Sequence, residues 1–369
     1  MKITEIRTTR LHDPEGGAFQ DATMPPPKPG AGGLPWMFVE LLTDAGIAGI
    51  AYSEGAGPVR SMIHDQLSDV IVGADPFESE KLWTAMFWRT RGNGRKGVAF
   101  QAISAIDNAV WDIKAKALGV PLYRLLGQAH DRVPVYGSGG WTNYSQDELV
   151  REQLGFAERG FSRTKVKVGK DFGQAEKEDI SRLTAVRRAL GDDATIYIDA
   201  NNGYYAKQAI RLAEPFKDLG VGWFEEPVLA DDIPGLAAIA KAIQLPVATG
   251  EHEYTKYGFR DLITAGAVDI VQADIGRVGG VTEWLKIAHL AAAFNLPMAP
   301  HAYALLHLHP AMATPNLMVV ELLDIEMDPM TKWLIDPPQP KDGYWQPIPG
   351  KPGNGIELNP HAVEKYAIG

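Results

Sequence analysis

Ionisable side chains recur at the ends of predicted β-strands through the second half of the sequence. Each of six β-rich runs finishes on an acid or a histidine, and about one strand plus one helix separates successive members. These residues are Asp199, Glu225, Glu251, Asp274, His301 and Glu321. Buried parallel strands are normally continuous apolar runs, so burial alone does not explain polar residues at the same end of each. Successive strands would deliver these groups to one face of a barrel, the face where active sites lie.

Three of these side chains suit a hard divalent cation. Asp199, Glu225 and Glu251 follow consecutive predicted strands, so their carboxylates can converge. An all-oxygen site with room for water and substrate oxygens favours Mg²⁺, with Mn²⁺ as the alternative. His252 keeps zinc open as well, because zinc recruits histidine more often. Strand alternation selects Glu225 rather than Glu226 for the inward face. Acids that neutralise buried lysines without a metal are the competing explanation.

Two lysines are predicted to point into the same barrel. In the run from Arg163 to Val168, a period of two places Lys165 and Lys167 on one face and apolar residues on the other. The apolar face suits the surrounding helices, so the lysines face inward. Buried ammonium groups must be paired or lose their protons, and the acids on neighbouring strands are the natural partners. A solvated edge strand is the alternative.

An acid and a histidine on adjacent strands form a candidate general acid–base pair. Asp274 and His301 end neighbouring predicted strands in the same tier as the other acids. A carboxylate that is hydrogen-bonded to one imidazole nitrogen fixes the tautomer and raises the basicity of the ring. A buried histidine with a purely structural hydrogen bond is the alternative.

The elements that would position these residues form an alternating series of strands and helices. The predicted strands are Val133–Tyr136, Thr164–Val168, Thr195–Asp199, Val221–Glu225, Pro246–Gly250, Asp269–Ala273, Pro297–His301 and Met318–Leu322. Amphipathic stretches of helical length separate most of them. Eight strands with seven crossovers of even length favour a closed parallel barrel over a doubly wound open sheet.

The sequence before the barrel predicts a separate α+β unit. Its predicted strands are 2–10 and 37–53, the second with a turn at Asp44–Gly46, and its predicted helices are 58–72, 77–90 and 98–118. The Pro- and Gly-rich stretch from Asp13 to Gly33 is predicted to be a mobile lid. We therefore expect a capping domain at 1–125, a barrel at 126–335 and a C-terminal extension at 336–369 that packs on the cap.

Composition restricts the class of protein. The chain has 369 residues, no cysteine and a formal net charge of −10. The acidic balance argues against nucleic acid and anionic membrane as partners, because both require a basic surface. The absence of cysteine excludes disulfides, thiolate metal sites and a cysteine nucleophile. This fits a cytoplasmic protein. The N-terminus lacks the pattern of a signal peptide, and no apolar stretch predicts a membrane span.

Together these motifs resemble the mandelate racemase-like subgroup of the enolase superfamily. Lys-Val-Lys, IDAN, FEEP, ATGE, QAD, APH and VVE occur in the order and at the intervals of that subgroup. The stretch AISAIDNAVWDIKAKALGVPLYRLLG is similar to its capping domain. The resemblance implies a modified (β/α)₇β TIM barrel with an α+β capping domain formed by the N-terminal part and the C-terminal extension. It also suggests a homo-oligomer, either an octamer or a dimer.

The resemblance further implies roles for individual residues. It places Mg²⁺ on the three consecutive acids and assigns Lys167 as one base and the His301–Asp274 pair as another, on opposite faces of the substrate. Lys165 is implied as an electrostatic helper, and Glu321 as the acidic partner of the substrate carboxylate. A lysine beside Mg²⁺ and a second lysine is expected to have a lowered pKa.

The shared chemistry would be removal of a proton next to a carboxylate, with stabilisation of the resulting enediolate. The segment Gly250–Arg260 resembles acid-sugar dehydratases, so we expect β-elimination of water from a sugar acid, an aldonate or aldarate. A racemase or epimerase that uses both bases is the first alternative, and a cycloisomerase is another. A Schiff-base lysine aldolase and a binding-only barrel are alternatives from other classes.

Three further residues are predicted to bind the substrate. Asn201 lies two residues past Asp199, and His252 follows Glu251 directly. Arg91 belongs to a basic loop between Arg89 and Lys96 that would either clamp a distal carboxylate or remain solvated.

Overall fold

The computed structural model describes residues 1–28, 30 and 32–368. The strands are β1 Ile3–Leu11, β2 Trp36–Thr43, β3 Ala48–Ser53, β4 Val133–Gly139, β5 Arg163–Lys167, β6 Thr195–Asp199, β7 Val221–Glu225, β8 Val247–Thr249, β9 Ile270–Val271, β10 Val320–Leu323, β11 Tyr344–Trp345 and β12 Ala367–Ile368. The α-helices are α1 Ala56–Ser61, α2 Ser68–Ile71, α3 Ser79–Arg89, α4 Val98–Ala117, α5 Leu122–Leu126, α6 Gln146–Glu158, α7 Lys170–Gly173, α8 Glu176–Leu190, α9 Ala206–Asp218, α10 Ile233–Ala242, α11 Thr255–Thr264, α12 Gly280–Ala293, α13 Ala304–Met312, α14 Asp324–Trp333 and α15 Pro360–Tyr366. A π-helical turn, Met62–Leu67, joins α1 to α2, and a 3₁₀ turn, Pro76–Glu78, precedes α3.

The N-terminal unit is an antiparallel sheet with helices packed on it. The strand order is β12-β1-β2-β3, so a strand from the C-terminus completes this sheet. The predicted run 37–53 forms the hairpin of β2 and β3, and the chain reverses at the predicted turn, Asp44–Gly46. Helix α4 lies directly on β3, where a side chain at Gly49 would meet the Ala109 carbonyl oxygen at 2.1 Å.

The larger unit is the predicted parallel barrel. Strands β10, β4, β5, β6, β7, β8 and β9 pair in that order, all in parallel. Parallel bridges at Met298 connect β9 to Leu317, just before β10, and so supply the remaining strand position. The pairing of β10 with β4 closes the ring, and the modified (β/α)₇β architecture is confirmed. None of the helices in the described ranges is both long and apolar enough to cross a lipid bilayer.

An apolar layer fills the barrel beneath the predicted tier of ionisable residues. Its members are Tyr136, Tyr197, Trp223, Ala248, Ile270, Ala299 and Val319. Several of them stand two residues before a tier residue, as strand alternation requires for side chains on the same face. Tyr197 and Trp223 stack with ring centroids 3.4 Å apart, and the Trp223 indole N–H donates to Glu225 at 3.0 Å. The layer therefore forms a rigid floor that orients the acids above it.

The C-terminal segment also ties into the cap through the buried carboxylate of Asp112. This side chain accepts hydrogen bonds from the backbone N–H groups of Ile50 at 2.9 Å and Asn354 at 2.7 Å, and it pairs with Lys116 at 2.6 Å. Burial raises the pKa of Asp112, although the charge of Lys116 opposes the shift. One side chain thus connects β3, α4 and the C-terminal segment.

Asp112→Ala should lower the free energy of unfolding by about 3 kcal/mol, because it leaves two buried N–H groups and a lysine without their partner. Denaturant titration measures the change. Glu158→Ala, at an exposed position at the end of α6, is the control and should stay within about 0.5 kcal/mol of the parent. Equal stability of the two variants would contradict the connecting role of Asp112.

Candidate active site

The ionisable tier converges at the carboxyl ends of the barrel strands. Asp199 is the last residue of β6 and Glu225 the last of β7, while Glu251 follows β8. Ligand oxygens of these three carboxylates all lie within 4.8 Å of one another, and all three side chains are buried. Burial and the neighbouring charge of Asp199 raise the pKa of Glu225, which is the signature of excess negative charge.

This triad fits a hard divalent cation. Glu251 Oε2 is buried and accepts no hydrogen bond, so the cluster contains one oxygen without a hydrogen-bond donor. Three converging carboxylates are the donor set that Mg²⁺ or Mn²⁺ prefers. Burial opposes ionisation of Glu251, but the charges of His301, His252 and Arg277 hold its pKa below the usual range. Glu251 is therefore already an anion.

The two lysines of β5 point into the tier, as the strand alternation predicts. Lys165 is fully buried, and its Nζ lies 2.7 Å from Glu225 Oε1, 2.7 Å from Glu321 Oε1 and 3.4 Å from Asp199 Oδ2. Burial disfavours its charge, but Glu225 and Glu321 outweigh burial and raise the pKa of Lys165. Lys165 is thus a permanent cation among acids.

Lys167 is paired with an acid of the neighbouring strand, as predicted for a buried lysine. Its Nζ contacts Asp199 Oδ2 at 2.5 Å. Burial disfavours the charged form, yet Asp199 outweighs burial and raises the pKa of Lys167 rather than lowering it. The predicted lowering of this pKa refers to a lysine beside bound Mg²⁺ and stays a prediction. A cation that drew Asp199 away would remove the interaction that holds the proton on Lys167.

The predicted acid–histidine pair is present. His301 Nδ1 lies 2.8 Å from Asp274 Oδ2, and the backbone N–H of Gly276 donates to Asp274 Oδ1 at 2.7 Å. On its other side, His301 Nε2 lies 3.3 Å from Glu251 Oε2. Burial disfavours an imidazolium, but the Glu251 charge and the Asp274 hydrogen bond raise the pKa of His301 to about 10. A protonated His301 is therefore the ground state of the metal-free site.

Glu321, at the second position of β10, completes the tier. Its Oε2 accepts from the backbone N–H of Ala302 at 2.8 Å, and its Oε1 faces Lys165. Burial opposes its ionisation, but Lys165 holds the pKa of Glu321 below the usual range. The Lys165–Glu321 pair thus forms a fixed dipole next to the triad.

His252 and Glu226 form a group beside the triad. His252 Nδ1 lies 2.7 Å from Glu226 Oε1, and Asn202 Nδ2 donates to Glu226 Oε2 at 2.9 Å. Ligand atoms of Glu226, Glu251 and His252 also lie within 4.8 Å of one another, so they form a second possible ligand set. Burial opposes the charge of His252, but Glu226 and Glu251 raise its pKa to about 9.

One cavity of about 240 Å³ gives access to the tier from the side of the cap. Its lining residues are Phe19, Asp21, Met24, Leu34, Trp36, Glu54, Trp141, Lys167, Asn201, Glu251, Arg277, His301, Ala302, Glu321, Leu323, Ile325 and Glu326. Lys167 and His301 therefore open onto the same space as Glu251. Asn201 lines it as well, and its buried Oδ1 accepts no hydrogen bond.

Two of the predicted substrate-binding residues lie outside the lining of this cavity. Arg91 is exposed and borders a separate depression with Phe87, Trp88 and Arg95. His252 contacts the acids from the side and has a half-exposed side chain. The prediction for Arg91 came from charge alone, and sequence cannot show on which side of a loop a residue lies.

Sequence reasoning missed Arg277, a further cation at the reacting end. This partly buried guanidinium contacts Glu54 Oε1 at 2.9 Å, the Glu251 carbonyl oxygen at 3.0 Å and Asp274 Oδ2 at 3.4 Å. It therefore connects the cap to both Glu251 and the His301–Asp274 pair. Its position three residues after Asp274, between Gly276 and Gly279, was the available signal.

The stretch from Asp13 to Gly33 contributes directly to the cavity. Phe19, Asp21 and Met24 line it, and the backbone N–H and hydroxyl of Thr142 donate to the carbonyl oxygen of Gln20. The described part of the stretch contains no helix or strand. Pro29 and Ala31 lie outside the described residues, and the mobility of the lid stays a prediction.

The fold and the site define a capped (β/α)₇β-barrel enzyme with a buried carboxylate triad, two lysines and a histidine–aspartate pair. Residues 32–127 match the mandelate racemase / muconate lactonizing enzyme N-terminal domain, and residues 148–362 match the enolase C-terminal domain-like family. The chain belongs to the mandelate racemase / muconate lactonizing enzyme family of the enolase superfamily.

Characterised relatives include both dehydratases and a cycloisomerase. The chain is 40% identical to L-talarate/galactarate dehydratase of Salmonella typhimurium over 269 residues, which is 72% of this chain and 67% of that protein. It is 33% identical to D-galactarolactone cycloisomerase of Agrobacterium fabrum over 100% of this chain and 99% of that protein. The structure of L-talarate dehydratase from Polaromonas sp. JS666, complexed with Mg and L-glucarate, superimposes with a TM-score of 0.89 at 32% identity, covering 100% and 98% of the two chains.

Proposed function

We propose that the protein is an acid-sugar dehydratase that removes the proton α to a carboxylate, with Mg²⁺ as cofactor, and then eliminates water. One observation carries the proposal. Lys167 and His301 line the same cavity, and each contacts a different member of the carboxylate triad, Lys167 at Asp199 and His301 at Glu251. Two side chains that can transfer protons thus flank one carboxylate cluster that suits a metal ion. Relatives that act on sugar acids support the choice of substrate class.

The triad of Asp199, Glu225 and Glu251 would hold the cofactor, with Mn²⁺ as a substitute. Mg²⁺ bound there supplies positive charge to the carboxylate oxygens of the substrate, which favours loss of the neighbouring proton. Lys165 adds a second fixed cation, because Glu225 and Glu321 keep it protonated. The Lys165–Glu321 pair would orient the substrate carboxylate.

Proton transfer falls to the two groups that line the cavity. Lys167 is proposed as the base, freed of its proton when Asp199 no longer stabilises it. His301 is proposed as the acid that protonates the departing β-hydroxyl, because hydroxide is a poor leaving group and needs general-acid help. Asp274 positions the His301 ring and stabilises its cation. The buried, unpartnered Oδ1 of Asn201 is a ready acceptor for a substrate hydroxyl.

Two further outcomes share the same first step. A racemase or epimerase would return the proton from the opposite group, and the paired arrangement of Lys167 and His301 favours this as the runner-up. Cycloisomerisation is favoured by the similarity to the Agrobacterium fabrum enzyme. A Schiff-base aldolase has less support, because Lys165 and Lys167 face carboxylates of the metal-type triad, Asp199 and Glu225.

The remaining predictions extend the proposal to the whole chain. We divide it into a cap at 1–125, a barrel at 126–335 and a C-terminal extension at 336–369, and the pairing of β12 with β1 supports this division. Arg91 and His252 are left out of the substrate site because neither lines the cavity. A homo-oligomer and a cytoplasmic location stay predictions.

A panel of five- and six-carbon sugar acids, incubated with Mg²⁺ and enzyme, tests the proposal. Dehydration gives an enol that tautomerises to a 2-keto-3-deoxy acid, which reacts with semicarbazide to give a strong absorbance. We expect at least one acid to give this signal, and none with Lys167→Ala. If no acid of the panel gives a ketone and NMR shows inversion at the α-carbon, the protein is an epimerase rather than a dehydratase.

A further inference from the structure

The far end of the substrate cavity has a chemical character different from that of the reacting end. We name its cap side the cap wall, formed by Phe19, Asp21, Met24, Leu34 and Trp36. Four of these five side chains are apolar, and the fifth is a carboxylate. A ligand that extends from the triad toward the cap would therefore meet apolar surface and an anion.

Among the described residues that line the cavity, no cationic side chain is free to bind a second carboxylate. The cationic lining residues are Lys167, Arg277 and His301. Lys167 is held by Asp199, and His301 by Asp274. The guanidinium of Arg277 donates twice to Glu54 Oε1, at 3.1 and 2.9 Å, and once to the Glu251 carbonyl oxygen. Each cation thus serves the reacting end and is already paired.

Two carboxyl groups instead offer acceptor oxygens to the cavity. Asp21 Oδ1 accepts from the backbone N–H groups of Thr23 and Met24, both at 2.8 Å, and Oδ2 takes no part in these bonds. Glu326 Oε1 accepts from the Tyr52 hydroxyl at 2.7 Å, whereas Glu326 Oε2 is buried and has no hydrogen-bond partner. Burial raises the pKa of Glu326 to about 8, so its carboxyl group is largely neutral near pH 7. The carboxylate of Asp21 is therefore the group that suits hydroxyl donors and repels another carboxylate.

The neighbouring cavity adds to the negative charge. It shares Phe19, Leu34, Trp141 and Ile325 with the substrate cavity and is lined by further acids. These acids are Asp13, Glu15, Glu152, Asp324 and Asp328. The lysine among its lining residues, Lys332, is bound to Asp13. Asp324 is paired with Arg159 at 3.0 Å, and burial raises the pKa of Glu152, Asp324 and Asp328, so this second surface is only partly anionic. Its lysine, held by Asp13, is not free to bind a substrate carboxylate.

We infer that the substrate is a monocarboxylic sugar acid, an aldonate with a neutral hydroxylated far end, and that the cavity selects against dicarboxylic aldarates. This inference rests on the proposed function, since the reacting carboxylate must occupy the triad end. It also separates this chain from the dehydratase relative, whose name specifies the dicarboxylates talarate and galactarate. Like charges brought together in a binding site repel each other strongly, so we expect a large preference for the aldonate.

Matched substrate pairs that differ only at the terminal carbon test the selectivity. The Mg²⁺-loaded enzyme is assayed with each aldonate and its aldarate, galactonate against galactarate and gluconate against glucarate, and kcat/KM is compared within each pair. We expect the better aldonate to exceed its aldarate by about 100-fold or more. A kcat/KM for any aldarate equal to or above that of its aldonate would overturn the inference while leaving the dehydratase proposal intact.

A charge placed on the cap wall provides the complementary test. Leu34→Arg should raise kcat/KM for the aldarate by about 10-fold or more relative to the aldonate, because it supplies the missing cation. Leu34→Gln, of similar length and neutral, is the matched control and should leave the aldonate-to-aldarate ratio of the parent unchanged. Identical ratios in the two variants would contradict the inference. Failure of both acids to react or bind in any variant would overturn the proposed function itself.

Discussion

Glu251→Gln is expected to lower kcat by about 1,000-fold or more and to weaken Mg²⁺ binding. Glu251 belongs to the carboxylate triad, and its Oε2 is buried without a hydrogen-bond partner. The substitution removes one negative charge from the cation site and leaves Asp199 and Glu225 to hold the metal alone. A 1,000-fold loss corresponds to about 4 kcal/mol of transition-state stabilisation. Metal titration by calorimetry and turnover of the accepted sugar acid measure the two effects.

Glu253→Gln is the matched control for this experiment. Glu253 lies two residues further along the same loop but pairs with Lys96 at 3.0 Å and is not part of the triad. Its replacement should change kcat less than a few-fold. Full activity of the parent enzyme in excess chelator, or unchanged metal affinity in Glu251→Gln, would contradict the metal site proposed at the triad.

Lys167→Ala is expected to abolish exchange of the substrate α-proton with D₂O, by about 1,000-fold or more, because it removes the proposed base. His301→Asn should still exchange that proton but should not release water, since it lacks the acid for the β-hydroxyl. Both rates follow from ¹H NMR of one sample in D₂O. Asparagine keeps a side-chain amide near Asp274, which limits rearrangement of the pair.

Lys170→Ala is the control for the lysine. Lys170 follows β5 by three residues and pairs with Glu178 outside the cavity, so exchange should be unchanged. The opposite pattern, with exchange lost only in His301→Asn, would reverse the two roles. Exchange at the parental rate in both Lys167→Ala and His301→Asn would show that neither group is the base.

The ionisable tier was predictable from sequence because it depends on local geometry. Strand alternation placed Lys165 and Lys167 on the inward face, and the ends of consecutive strands brought Asp199, Glu225 and Glu251 together. The barrel confines these side chains to one end, so knowledge of distant contacts was not needed. The order of the barrel strands followed from the same periodicity. Their bounds agree for Thr195–Asp199 and Val221–Glu225, whereas the predicted strand Pro297–His301 forms only bridges at Met298.

What the sequence could not predict depends on contacts between distant segments. Arg277 joins the cap to the barrel through Glu54, more than two hundred residues away in the chain. The sequence left open whether Arg91 clamps a substrate carboxylate or is solvated, and it could not show that Arg91 is exposed and lies outside the lining of the cavity. The raised pKa of Lys167 likewise depends on the direct contact with Asp199. Contacts between residues that are distant in the sequence, rather than residue type, determine the position of each of these side chains and the pKa of Lys167.

Proton NMR of the accepted sugar acid in D₂O, with Mg²⁺ and the parent enzyme, tests the central claim of dehydration most directly. The account predicts a 2-keto-3-deoxy acid with one solvent deuterium at carbon 3, because the enol formed by loss of water takes its new hydrogen from solvent. A product that keeps every hydroxyl group, with deuterium at carbon 2 and inverted configuration there, would contradict dehydration.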